Sequence, residues 1–199
     1  MARVAASLLT ILMASALLAL PTGCTHLSRR VDPDVDDSLG GTGIDSADLR
    51  AITSKMARDL LEIPEIAQAL QPPTVALEQV RNGTRFVIDT DIFLVRIRGL
   101  LNQQCRGKVR FLARQDLEAI MRERQAKREG VYSSSGKKSL LGADFFLTGE
   151  LLSISKARDQ NRSDYILYAF QLIDTENSLI VWEGQVDVKK VGKRGTLYR

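Results

Sequence analysis

Side chains able to do chemistry are few in this chain. Its 199 residues hold one histidine, His26, and two cysteines, Cys24 and Cys105. His26 stands two residues from Cys24, near the N-terminus and apart from any folded Ser and Asp. A Ser-His-Asp or Cys-His hydrolase therefore lacks its base. Zinc fails on the same inventory, because structural sites take four protein ligands and catalytic sites usually three. The stretch Gly130-Val131-Tyr132-Ser133-Ser134-Ser135-Gly136-Lys137-Lys138-Ser139 looks like a phosphate loop. Five residues separate its glycines, Lys138 occupies the Ser/Thr place, and a predicted helix precedes it. A phosphate loop needs four such residues and follows a strand. Asp89 and Asp91 offer paired carboxylates, but at the start of a predicted helix they read as caps that suit its dipole. Trp182 and Tyr168 could form a ligand platform; core or cross-strand packing explains them better. The inventory predicts no catalytic set, no cofactor and no metal.

Cys24 carries the one covalent chemistry the sequence suggests. It ends the phrase Pro21-Thr22-Gly23-Cys24, behind an apolar run over 4–20 and a single base, Arg3. A basic start, an apolar segment and small residues make an export signal. A cysteine closing it reads as a bacterial lipoprotein signal. The chain is then cut between Gly23 and Cys24, the thiol takes a diacylglycerol and the new amine is acylated. The leucine usual three places before the cysteine is replaced by Pro21, with Leu20 one place earlier. The competing readings are a plain secretory signal and an uncleaved anchor, since the run approaches membrane-spanning length. Thr25, not aspartate, follows the cysteine, which predicts an outer-membrane location facing the periplasm. With Cys24 acylated, Cys105 is the only thiol left and no internal disulfide can form. Cys105 reads as a small buried apolar residue.

The elements behind these residues follow from pattern. The boundaries are a signal peptide over 1–23, a flexible tether over 24–44 and a globular domain over 45–199. The tether is rich in Gly, Pro and Asp, which cannot build a core. About 20 residues reach at most about 65 Å. Asp45 or Ser46 caps a helix whose stripe is Leu49, Ile52, Met56, Leu60 and Ile63. Strands are predicted over 74–80, 109–112, 145–155, 164–174 and 179–188, with helices over 92–104 and 115–129. A further helical turn is predicted over 139–141, a polar connection over 156–163 and a frayed basic tail from Lys189. In the strand over 164–174, Ile166, Tyr168, Phe170 and Leu172 share one face. This order predicts an α/β fold: a single mixed sheet packed with helices mainly on one side, ending in an antiparallel meander.

Composition is that of a globular protein: 44% hydrophobic, 26% charged and a net charge of +4. No dense basic patch interleaved with aromatics points to nucleic acid. The third predicted helix has a thin apolar face (Leu117, Ile120, Met121), with Arg122, Arg124, Lys127 and Arg128 beyond it. Its C-terminal half should be exposed. These four residues, or the polar stretch over 156–163, are candidates to meet an acidic partner surface.

Several phrases resemble the LpoB family. They are Pro73-Thr74-Val75-Ala76-Leu77-Glu78-Gln79-Val80-Arg81-Asn82-Gly83-Thr84, Ile88-Asp89-Thr90-Asp91, Leu141-Gly142-Ala143-Asp144-Phe145-Phe146-Leu147-Thr148-Gly149-Glu150-Leu151, and Leu172-Ile173-Asp174-Thr175-Glu176-Asn177 with Ile180-Val181-Trp182. The individual phrases recur in CsgG-type secretion lipoproteins and TolB-like N-terminal domains. The resemblance implies a TolB-N-terminal-like fold and a non-enzymatic role. Such an outer-membrane lipoprotein docks on the regulatory domain of a class A penicillin-binding protein and raises its synthetic rates. The alternative it leaves is a subunit of an outer-membrane secretion or assembly complex. The tether here is shorter than the long disordered tethers of that family.

Overall fold

The computed structural model describes residues 30–35, 41–104, 107–133, 136 and 138–193. Gly23, Cys24, His26 and Cys105 lie outside them, as do parts of the stretch resembling a phosphate loop. One folded unit runs from Pro33 to Arg199. Among the described residues, no helix is long and apolar enough to cross a membrane.

Helix α1 (Ser46–Glu62) starts at Asp45 with a capping box. The Asp48 N–H donates to the Asp45 carboxylate at 2.9 Å, and the Asp45 N–H donates to the Asp48 carboxylate at 3.2 Å. Both donors would otherwise be orphans of the first turn. Its stripe buries Ile52, Met56 and Leu60 as the spacing predicts. After a short α2 (Pro64–Ala67) come β1 (Thr74–Gly83), α3 (Asp91–Gln104) and β2 (Arg110–Leu112). A 3-10 turn (Arg114–Asp116) leads into α4 (Leu117–Arg128). Three 14-residue strands follow: β3 (Phe145–Arg158), β4 (Asn161–Asp174) and β5 (Ile180–Lys193).

The five strands form one mixed sheet in the order β2-β1-β3-β4-β5. β1 is parallel to both β2 and β3, and β3-β4-β5 is the antiparallel meander. The core lies where α1 and α3 meet the face made by Leu147, Leu151, Ile166, Tyr168, Phe170 and Leu172. Phe93 of α3 sits 5.6 Å from the Tyr168 ring and 5.9 Å from the Phe170 ring, both tilted. Such aromatic packing adds to simple burial. Trp182 is half-buried against the same core, so it and Tyr168 pack as expected of cross-strand residues. Gly149 is required there: a Cβ would stand 2.5 Å from the Ala169 carbonyl and 2.6 Å from the Phe170 ring.

Four expectations need correcting. Residues 139–141 make no helical turn, since their carbonyl groups and neighbours are held by side chains instead: Leu141 accepts from Arg114 at 3.2 Å and Lys138 from Arg124 at 2.8 Å. The polar stretch over 156–163 is not a connection but the end of β3, the turn at Asp159-Gln160 and the start of β4. Asp159 takes a positive φ of 54° in that turn. The tail does not fray at Lys189, because β5 pairs with β4 through Lys193. Polar strand ends of this kind are held by cross-strand backbone hydrogen bonds, which leave no apolar pattern to read. The third helix is two residues shorter at its start, where the 3-10 turn replaces it.

Candidate functional site

Asp89 and Asp91 serve the helix start, not catalysis. The Asp89 carboxylate accepts the Asp91 N–H at 3.1 Å, and the Thr90 hydroxyl donates to the Val80 carbonyl at 2.8 Å. A groove of about 390 Å³ runs between α1 and α3, past Leu49, Arg50, Ile92, Val95 and Arg96. Arg50 is engaged by Asp34. Among the described residues, no three His, Cys, Asp or Glu gather in a group that could hold a metal.

Two polar networks fasten the two ends of the sheet. At the β3–β4 turn, Asp164 is 0% exposed. It accepts from Arg85 at 2.8 Å and Arg162 at 3.2 Å, and from the hydroxyls of Thr42 and Ser155. Burial alone would raise its pKa. The hydrogen bonds from Arg85, Ser155 and Thr42, with the Arg85 charge, outweigh it and hold the carboxyl well below the usual range. Beside it Lys190 donates to the Gly43 carbonyl at 3.1 Å and to Asp45 and Asp48 at 2.7 and 2.6 Å. Burial opposes the Lys190 charge, but the two carboxylates raise its pKa. Sequence reading missed this network. Its one signal was an acid at 164, in register with the apolar face of Ile166 and Tyr168.

At the other end, Asp144 accepts the Thr74 N–H at 2.7 Å, and the Asp144 N–H donates to the Thr74 carbonyl at 2.9 Å. The Thr175 N–H donates to the Asp144 carbonyl at 3.0 Å, and its hydroxyl to the Ala143 carbonyl at 2.6 Å. Three separate phrases of the sequence, around Thr74, Asp144 and Thr175, thus close on one another.

α4 stands outside both networks, and none of its residues is buried. Glu118 in the first turn and Lys127 and Arg128 in the last suit its dipole. Glu123 and Lys127 pair at 3.1 Å. Gly130, at φ +78°, ends it. The Gly130 N–H donates to the Lys127 carbonyl and the Val131 N–H to the Ala126 carbonyl, a Schellman closure. The four candidate cations do not make one patch. Arg124 is half-buried and bonded to the Lys138 carbonyl, while Lys127 is held by Glu123. Arg122 and Arg128 are exposed. Helical geometry turns Arg122 about 160° away from Arg124.

On the helix and in the segment after it stand exposed apolar side chains; sequence reading put Met121 on the helix's apolar face, Val131 and Tyr132 in a loop, and Leu140 and Leu141 in a helical turn. Met121 is 50% exposed, Val131 65%, Tyr132 53%, Leu140 45% and Leu141 54%. The bonds from Arg124 to Lys138 and from Arg114 to Leu141 bring the later residues back along α4. Exposed Tyr, Met and Leu beside Arg have the composition of a protein-binding surface.

Comparison with known proteins gives the family. A family model described as the peptidoglycan-synthase activator LpoB matches residues 48–188. No curated protein matches the chain. Among solved structures, the LpoB C-terminal domain from Salmonella enterica is 15% identical, at a TM-score of 0.41, with 71% of this chain and 98% of that one covered. The same domain from Escherichia coli is 16% identical, at a TM-score of 0.41 and the same coverage. Lipoprotein GNA1162 from Neisseria meningitidis is 10% identical, at a TM-score of 0.35, covering 60% of this chain and 84% of that one. The family match spans well over half of the 199 residues, and the chain belongs to the LpoB family of peptidoglycan-synthase activators.

Proposed function

We propose that this chain is an outer-membrane lipoprotein, anchored through Cys24 after cleavage behind Gly23, that activates a class A penicillin-binding protein from the periplasmic side. On this reading 1–23 is the signal, the segment after Cys24 is the tether, and the folded unit meets the regulatory domain of the synthase. The family match over residues 48–188 supports it, and α4, which buries none of its residues and leaves Arg122, Arg128 and Met121 exposed, is the surface offered to the partner. Arg124 and Lys127 shape this surface through the Lys138 carbonyl and Glu123. An activator works by binding the active conformation of its partner more tightly than the inactive one, since equal affinity shifts nothing. A rigid surface is enough for that, with no turnover and no cofactor.

The test is glycan-strand synthesis from lipid-linked precursor with purified class A synthases of the same bacterium. Residues 33–199 should bind one of them and raise its rate. Neither binding nor stimulation with any of them, together with recovery of an outer-membrane pore from solubilised membranes, would favour a secretion-complex subunit instead.

A further inference from the structure

β1 ends at Gly83 beside Leu152, and beyond that point β3, β4 and β5 run on as a three-stranded ribbon. One face of the ribbon is covered. Asp164 and Lys190 point to it and are bonded to Thr42, Gly43, Asp45 and Asp48. The opposite face carries four cations and two exposed aliphatic side chains on its outer strands, with Tyr165, Ser163 and Asn161 between them on β4 and one acid, Asp187, a row further in. Register sets Ile154 and Lys189 in one row across β4, Lys156 and Val191 in the next, and Arg158 and Lys193 in the last. Ile154 is 63% exposed and Val191 73%. The four cations are exposed too. Among the described residues the ion pair found for them is Arg158 with Asp159 at 3.9 Å, both side chains almost wholly in water, and such a pair contributes little. Residues 41 and 42 cross the covered face of this ribbon. A Cβ on Gly192 would stand 3.4 Å from the Gly41 carbonyl oxygen and from the Thr42 methyl.

We propose that this ribbon face docks reversibly on an anionic phospholipid surface, that of the membrane carrying its anchor, in exchange with the synthase-bound state. The inference rests on the anchored-lipoprotein reading above. A lysine close to an anionic bilayer strengthens binding about fivefold. Its stem can lie along the acyl boundary while the ammonium stays wet. Ile154 and Val191 gain by leaving water for that boundary. An anionic glycan mesh would answer the charges but offers the two aliphatic side chains no apolar layer. Reach agrees: the nine residues from Cys24 to Asp32 span at most about 30 Å. A polybasic face on an acylated chain is a second signal of the kind that makes membrane attachment firm.

The experiment uses the chain from Cys24 to Arg199 carrying Cys24→Ser, so that no acyl group contributes. It is floated with vesicles of phosphatidylethanolamine and phosphatidylglycerol, and separately with vesicles of phosphatidylcholine. The expected result is flotation with the anionic vesicles alone, weakened by salt. Lys189→Ala with Lys193→Ala should weaken binding about 25-fold, and Ile154→Ser, on a different strand, should weaken it with an unchanged thermal melt. No flotation with anionic vesicles, equal flotation with both kinds, or undiminished binding by both variants overturns the proposal. So does a preference for purified peptidoglycan over the vesicles. No acyl chain and no synthase takes part, so failure here leaves the anchor and the activation standing. Failure of palmitate to label the wild-type protein in cells would remove the anchor and leave the vesicle result intact.

Discussion

The two ends of the sheet are fastened by different means. At the β3–β4 turn, Arg85 and Arg162 are drawn onto one buried carboxylate, Asp164, and Lys190 onto Asp45 and Asp48. At the opposite end, backbone groups and the threonines 74 and 175 close on Asp144, and no arginine is used up. Strands of 14 residues put the two ends about 45 Å apart. The contrast separates arginines that build from arginines that can bind. Arg85 and Arg162 face a carboxylate that cannot leave, whereas Arg122 and Arg128 are exposed to water. It also gives the molecule a direction. The chain enters at the ion-paired end, and the surface proposed for a partner lies on α4, whose following loop leads to the other end.

The sharpest way to break this contrast is at Asp164. Asp164→Ala should cost about 3 kcal/mol, the low end for removing one member of a buried ion pair. Arg85 keeps 25% of its side-chain surface in water, which moderates the loss. The sign of the pH effect follows from the depressed folded-state pKa. The contribution of Asp164 is present above its unfolded value of about 3.9 and is lost as pH falls below it. Thermal melts should therefore show the gap between wild type and Asp164→Ala closing in acid. A gap independent of pH from neutrality to strong acid would contradict the assignment. Asp144→Ala should come next, at about 2 kcal/mol, because it strands the Thr74 N–H in a half-buried site. Urea unfolding measures it, and a loss larger than that of Asp164→Ala would reverse the ranking of the two ends. Thr42→Ala removes one neutral donor from a charged acceptor and should cost about 1.5 kcal/mol. The same melts read it, and no loss would mean that residues 41–43 do not pin the chain entry.

The sequence made the regular parts plain and the fastenings hard to see. The stripe of α1 and the alternation of Ile166, Tyr168, Phe170 and Leu172 follow from periods of 3.6 and 2, so core faces were legible. A cap at Asp45 or Ser46 was legible before the stripe, and the capping box with Asp48 assigns it to Asp45. Asp164 did not, because Thr42 and Arg85 lie 122 and 79 residues away and no local pattern couples them. The ribbon ends of β3 and β5 were missed since one face is covered by polar groups and the other is bare, so no apolar alternation marks them. On α4 the exposed cations were found by composition. That Arg124 is tied to the Lys138 carbonyl and Arg114 to the Leu141 carbonyl depends on loop carbonyls finding side-chain donors, which composition does not encode.

The smallest expected effect on stability is also the one that bears most on function. Arg122→Glu with Arg128→Glu should change unfolding free energy by no more than about 0.5 kcal/mol, as exposed substitutions do. Measured with the class A synthase that the wild-type domain stimulates, the same double variant should lose the stimulation, and salt should weaken the residual binding less than it weakens wild type. An unchanged melt with lost stimulation is the predicted result. Full stimulation by a folded double variant would contradict the assignment of α4 as the partner surface.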